Sequence, residues 1–197
     1  LNDGQHRNWS SVLTGSTYTS LFVFGLKRET RMNIDIGIKR GGGARLAMAG
    51  VASPLIKASI VALSFRVMNG RNGTDIEHDD LYWSDADLFD LAASLGYYSY
   101  PAKGTRAPFA VGIYILLKKG ANIDAVREFV DAIRTGANLS PGSYLLKLRN
   151  AITTGTEKRS REEWVRIVIA HYNGWRNGQK LRAALEIPAV LPPVVTI

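Results

Sequence analysis

The chain has 197 residues, with 25 Lys+Arg against 17 Asp+Glu and no cysteine. A hydrophobic share of 46% and a charged share of 21% are ordinary for a globular protein, so one domain, or one with a small satellite, can bury a core. Disulfide scaffolds, thiolate metal sites and cysteine nucleophiles are excluded. No apolar run reaches the ~18 residues of a membrane span, and no membrane partner is expected.

In chain order, the turn Asp3-Gly4 opens a short helix over 5–13. Tyr18 to Leu26 is aromatic and β-branched enough for a strand, and Asn33 to Gly37 alternates briefly before Gly41-Gly42-Gly43. Ala44 to Ala49 reads as a helix, and Ser53-Pro54 as an N-cap with Pro at the first helical position for Leu55 to Met68. A loop follows at Asn69 to Gly73.

Ser84 and Asp87 have capping-box spacing ahead of the stripe Leu88, Leu91, Ala92, Leu95. Pro108 opens a helix to Lys118, and Val126, Phe129, Val130 and Ile133 mark the next. Ser140-Pro141 starts another, with Tyr144, Leu145 and Leu148 on its face. Ser160 and Glu163 form a second capping box before Trp164, Ile167, Val168, His171, Tyr172 and Trp175. That helix should stop near Asn177-Gly178, and 187–197, with three prolines, should be extended or disordered. The expected fold class is mainly α with a small β element (α+β). Its expected divisions are 1–50, 51–186 as a helical domain, and a tail at 187–197.

The formal net charge is +8, which favours polyanions, nucleic acid first. Its distribution is uneven. Seven acids and no base lie between Asp75 and Asp90, whereas the stretches Lys27–Arg45 and Lys147–Arg182 are basic. Arg45, Lys158, Arg159, Arg161, Arg166, Arg176, Lys180 and Arg182 are therefore candidate DNA contacts. The aromatics among them, Trp164, Tyr172 and Trp175, have the spacing of a core face rather than a base-stacking platform.

The string Asp3-Gly4-Gln5-His6-Arg7 carries the most specific chemistry. Glycine at the start of a helix lets a ligand approach the backbone. The helix N-terminus offers free N–H groups and the positive end of its dipole, and both favour phosphate. Arg7 can fork onto phosphate oxygens, and His6 can donate, accept or shuttle a proton. The alternative is local. Asp3 then serves only as a cap, and Arg7 pairs with Asp35.

This string resembles the DGQHR motif of the ParB/sulfiredoxin-like superfamily, which includes phage proteins of ParB-like nuclease type. Asn33-Ile34-Asp35-Ile36-Gly37-Ile38-Lys39-Arg40 is similar to that family's second segment, and Trp164 to Arg176 to its C-terminal helix in phage-type members. The resemblance implies the C-terminal portion of such a protein, with the family's first strands lying ahead of residue 1 or in a partner chain. It implies Asp3, Gly4, Gln5, His6, Arg7, Lys39 and Arg40 as phosphate or nucleotide contacts, with His6 and Arg7 catalytic if the chain is a nuclease or NTPase. A nucleoside triphosphate with Mg²⁺ is the cofactor set it would admit. A bacterial or phage-infected cytoplasm is the location it implies.

Lys39, Arg40 and Arg45 beside the triple glycine could cradle phosphate, but without the Gly-Lys-Ser/Thr of a P-loop a hinge is the better reading. His78, Asp79 and Asp80 could meet a hard cation, yet they lack EF-hand register and read as a solvated loop. His171 falls on an apolar face and reads as a core histidine, and no resident metal site is expected. Three functions remain open: DNA binding with a phosphate-contacting turn, a nuclease or NTPase, and a structural role in which the helices mediate homo-oligomerisation.

Overall fold

The computed structural model describes residues 5–27, 41–98, 105–137, 139–154, 159–179 and 187–196. Among them the order is α1 (Gln5–Thr14), α2 (Gly42–Met48), α3 (Pro54–Asn69), α4 (Asp75–Ser84), α5 (Ala86–Ala92), a π-helical turn (Ala93–Tyr98), α6 (Arg106–Lys118), α7 (Ile123–Thr135), α8 (Tyr144–Thr154) and α9 (Arg161–Arg176).

The architecture follows from α6. Every residue from Pro108 to Leu116 is buried, so the helix is apolar all round and must be enclosed. It is packed by α3, α5 with the π-helical turn, α7 and α9. The stacked rings Tyr82, Phe89 and Tyr114 join α4, α5 and α6, and Phe109 and Phe129 join α6 to α7. Phe89 and Tyr114 have centroids 4.0 Å apart at an interplanar angle of 11°. α7, with Val126, Phe129, Val130 and Ile133 buried on one face, and α8 with Leu145, Leu148 and Ile152, close the far side.

Two glycines set how closely the layers approach. A Cβ at Gly96, in the π-helical turn, would lie 2.7 Å from the Cα of Ala110 on α6. One at Gly112 would lie 2.6 Å from Val168 Cγ1 on α9. Both helices therefore meet α6 at backbone contact, and any side chain there would prise them apart.

Several expectations from sequence are met. Pro54 stands in the first turn of α3, Ser160 and Glu163 form the reciprocal capping box of α9, and α9 ends just before Asn177 with Gly178 at φ 63°. Trp164 and Tyr172 are core residues, with Trp175 packed against the core.

Other expectations are corrected. Tyr18 to Leu26 forms no strand, because among the described residues no other strand is present to take its backbone hydrogen bonds. The second β segment, Asn33 to Gly37, lies outside the described residues. No β element is found among the described residues, which are mainly helical. Gly42 and Gly43 are not a hinge. They begin α2, and Gly43 is buried against Leu55 of α3. Leu46 joins the core, so α2 shares it with the helices beyond residue 50.

The acidic block lies on α4 and the start of α5, so His78, Asp79 and Asp80 are helical rather than in a loop. Thr74 caps α4, accepting from the Glu77 amide while Glu77 accepts from Thr74 N–H at 2.8 Å, and acids in its first turn suit the dipole. Ser84 and Asp87 form no capping box. Asp85 is the N-cap residue of α5, and Ser84 Oγ donates back to Leu81 O. Ser140-Pro141 is a turn, and Ser143 Oγ instead accepts from Leu146 N at the start of α8.

Gly96→Ala should cost about 1–3 kcal/mol through overpacking, a fall of roughly 2–12 °C in Tm for a chain of this size. Thermal denaturation followed by circular dichroism checks it, and an unchanged Tm would show that the contact with Ala110 is loose.

Candidate functional site

The residues singled out by sequence divide into three groups in space. The first is the Asp3–Arg7 string. Gln5 is the first described residue of α1, and Asp3 and Gly4 lie outside the described residues. α1 has no acid in its first turn, and Arg7 is exposed there. Its positive end is therefore not neutralised by a carboxylate of its own first turn. Lys39 and Arg40 lie outside the described residues.

The second group is the acidic block with the bases that neutralise it. Arg45 of α2 reaches Asp79 of α4 with Nε at 2.7 Å and Nη2 at 3.1 Å, and Asp75 with Nη1 at 2.9 Å. Burial pulls the Arg45 guanidinium down, and the bonds to Asp79 and Asp75 more than reverse it, leaving its pKa above the usual value. With its side chain 12% exposed, Arg45 ties α2 to α4. Its expected place among DNA contacts is corrected to a structural one, because both carboxylates already occupy its donors.

The same holds around it. Lys57 pairs with Asp90 at 2.6 Å, Arg71 with Glu77, and Lys118 with Asp85. Tyr114 Oη donates to Asp85 at 2.5 Å. Burial pushes the Asp85 carboxyl up, and Lys118 with Tyr114 brings it below its ordinary value. Five of the block's seven acids, Asp75, Glu77, Asp79, Asp85 and Asp90, are thus spent on bases from α2, α3, α6 and the 70–74 loop.

His78 and Asp79 stand on α4, where the His78 ring meets Phe65 edge-on at 5.4 Å. No group of three or more metal-ligating side chains occurs among the described residues. A cavity of about 20 Å³, between Gly42, Leu46, Ala58, Val61, His78, Asp79 and Tyr82, has room for about one water and none for a nucleotide.

The third group is the basic set on α9. Arg161 is exposed at its first turn. The Arg159 guanidinium stands over Trp164 at 6.0 Å from the ring centroid, and that of Arg176, exposed, over Trp175 at 5.8 Å. Arg166 donates to the carbonyl of Ala189 in the segment 187–196. Lys158, Lys180 and Arg182 lie outside the described residues.

His171 is buried, 2% exposed, with Nδ1 2.8 Å from Ile167 O and its ring meeting Tyr144 edge-on. Burial pushes its imidazole down to about 4, and Arg159 and Lys147 add to the shift. Sequence reading missed four things: the Thr74–Glu77 capping box, the Arg45 pairing, the Asp85–Tyr114–Lys118 cluster, and the anchoring of 187–196. Only the Thr74-x-x-Glu77 cap carried a local signal. The rest are pairings between residues about 20 to 35 apart in sequence.

Comparison with family models, with curated proteins and with solved structures finds no match to this chain. The class that fold and site define is therefore a mainly helical protein built around a buried central helix, with five of the seven acids of its acidic block paired internally. No helix of the described residues is long and apolar enough to cross a membrane.

The His171 imidazole takes up a proton less readily in the folded chain, at about 4, than at the ordinary value of 6.5. Its contribution to stability is therefore full above pH ~6.5 and falls as pH drops from there toward 4, by of order 3 kcal/mol. Denaturant unfolding of wild type and His171→Leu between pH 7 and 4 checks this. The variant should lack that part of the slope, and parallel curves would remove His171 as its source.

Proposed function

We propose that this chain binds DNA, with the Asp3–Arg7 turn contacting a phosphate as the resemblance to ParB/sulfiredoxin-like DGQHR proteins implies. The observation that carries the reading is Arg7, exposed in the first turn of a helix that has no acid there. Backbone N–H groups at that end, the dipole and a guanidinium fork together suit a phosphate oxygen. Four of the bases, Arg45, Lys57, Arg71 and Lys118, are matched against acids of the 75–90 block. Arg66, Arg127 and Arg134 are matched elsewhere, with Glu162, Asp124 and Asp131, and the net charge of +8 leaves basic surface such as the exposed Arg161 at the start of α9. Such a surface gives affinity that depends on salt and little on base sequence.

A second reading, assembly, is favoured by the run from Trp9 to Leu26. Trp9, Val12 and Leu13 are 65%, 73% and 77% exposed, and Leu21 and Phe24 are 89% and 87% exposed. Exposed large apolar side chains in this number are surface that a second copy can cover.

Titration of duplex DNA by the full chain should give an affinity that falls steeply with salt. Arg7→Ala should weaken binding and reduce the slope of log K against log salt by about 1. A flat salt response would remove the DNA reading, and an unchanged slope in Arg7→Ala would remove the turn from it. For the assembly reading, light scattering without nucleic acid should find an oligomer that Leu21→Ser with Phe24→Ser disperses. A monomeric wild type would end it.

A further inference from the structure

The segment 187–196, Ile-Pro-Ala-Val-Leu-Pro-Pro-Val-Val-Thr, has no regular hydrogen-bonded structure, yet it is held along α9. Arg166 donates to Ala189 O. Asn173 acts at both ends of its amide: Nδ2 donates to Pro193 O, and Oδ1 accepts from Val195 N at 3.0 Å. Thr196 reaches the α6–α7 turn, where its Cγ2 lies 3.7 Å from a Cβ position on Gly120.

All three polar contacts read backbone atoms rather than side chains. Their spacing fits an extended chain running in the same direction as α9. Arg166 and Asn173 are seven residues apart, so they share a helix face about 10.5 Å apart. The four steps from Ala189 to Pro193 span about 12 Å in a polyproline II conformation.

Exposure has the same period: Ile187, Val190, Pro193 and Thr196 are exposed, as is Ala189, whereas Pro188, Leu191, Pro192, Val194 and Val195 are half-buried, and Leu191 and Val194 pack on the core. Three residues per turn is the polyproline II repeat, which sets positions 188, 191 and 194 on one side. Pro192 and Pro193 hold themselves and the preceding residues extended and carry no N–H that needs a partner. Recognition of an already extended, proline-bearing chain loses little conformational entropy.

We propose that the outer face of α9 is a binding site for an extended apolar peptide with a Leu-Pro-Pro-Val core, and that segment 187–196 is its resident ligand, exchangeable with the same segment of a second copy. Asn173 reads the backbone, Arg166 fixes the register, and the core surface beneath takes the residues at positions 191 and 194. Tethering gives the resident segment an effective concentration of the order of millimolar, so a free peptide competes only when that segment is weakened.

The test uses the full chain carrying Leu191→Asp and Val194→Asp, and a fluorescent peptide of the 187–196 sequence. Anisotropy should show saturable binding at least tenfold tighter than to wild type, and adding Asn173→Ala should weaken it about tenfold. No saturable binding to a folded double variant, or binding indifferent to Asn173→Ala, would overturn the proposal. Should the double variant not fold, hydrogen exchange on wild type decides. The Val195 amide should exchange at least 100-fold faster than amides of α6, because the segment lifts while the bundle stays intact. Equal rates would make 187–196 a fixed part of the fold and end the proposal.

Discussion

Enclosure of α6 is the constraint on which everything else depends. A helix buried from Pro108 to Leu116 offers no polar face to water, so it is stable only when neighbours surround it. α3, α5 with the π-helical turn, α7 and α9 supply that cover, and Gly96 and Gly112 let two of them reach its backbone. Truncating a ring such as Phe109 at this centre would leave a cavity costing about 3–5 kcal/mol. The candidate phosphate turn, by contrast, sits on α1, whose apolar residues Trp9, Val12 and Leu13 face solvent. Fold and candidate site are thus carried by different parts of the chain.

Electrostatics follow from the same packing. α4 lies against α3 and α2, and Asp75, Glu77 and Asp79 there meet Arg45 and Arg71. At the start of α5, Asp85 meets Lys118 and the hydroxyl of Tyr114. Pairs this exposed contribute little stability each, but Arg45 and Asp85 are screened enough for their contacts to fix the register of α2 and α6 against α4 and α5. A linear sequence with an acidic centre and basic flanks therefore does not become a molecule with an acidic face of seven free carboxylates. Its net positive charge is left to bases that the block does not consume.

The segment beside α9 shows how a proline-rich stretch can be ordered without secondary structure. Its backbone groups are satisfied by Arg166 and Asn173, and its period-three apolar side is covered by the core. Sequence reading had it extended or disordered. Extended is the form found, and the order comes from two side chains about 20 residues upstream.

What the sequence alone determined is local. Periodicity located α7 and α9, Pro54 and Pro108 marked the openings of α3 and α6, and Ser160 with Glu163 marked the start of α9, because caps, prolines and apolar stripes act within a few residues. Tertiary structure decided the rest. Tyr18 to Leu26 had strand composition, but a strand exists only with a partner, and none occurs among the described residues. Arg45 looked like a free cation until α2 docked on α4 and gave it two carboxylates. Pairings of that kind depend on which surfaces meet around α6, a property of the packed helices that no window of sequence contains.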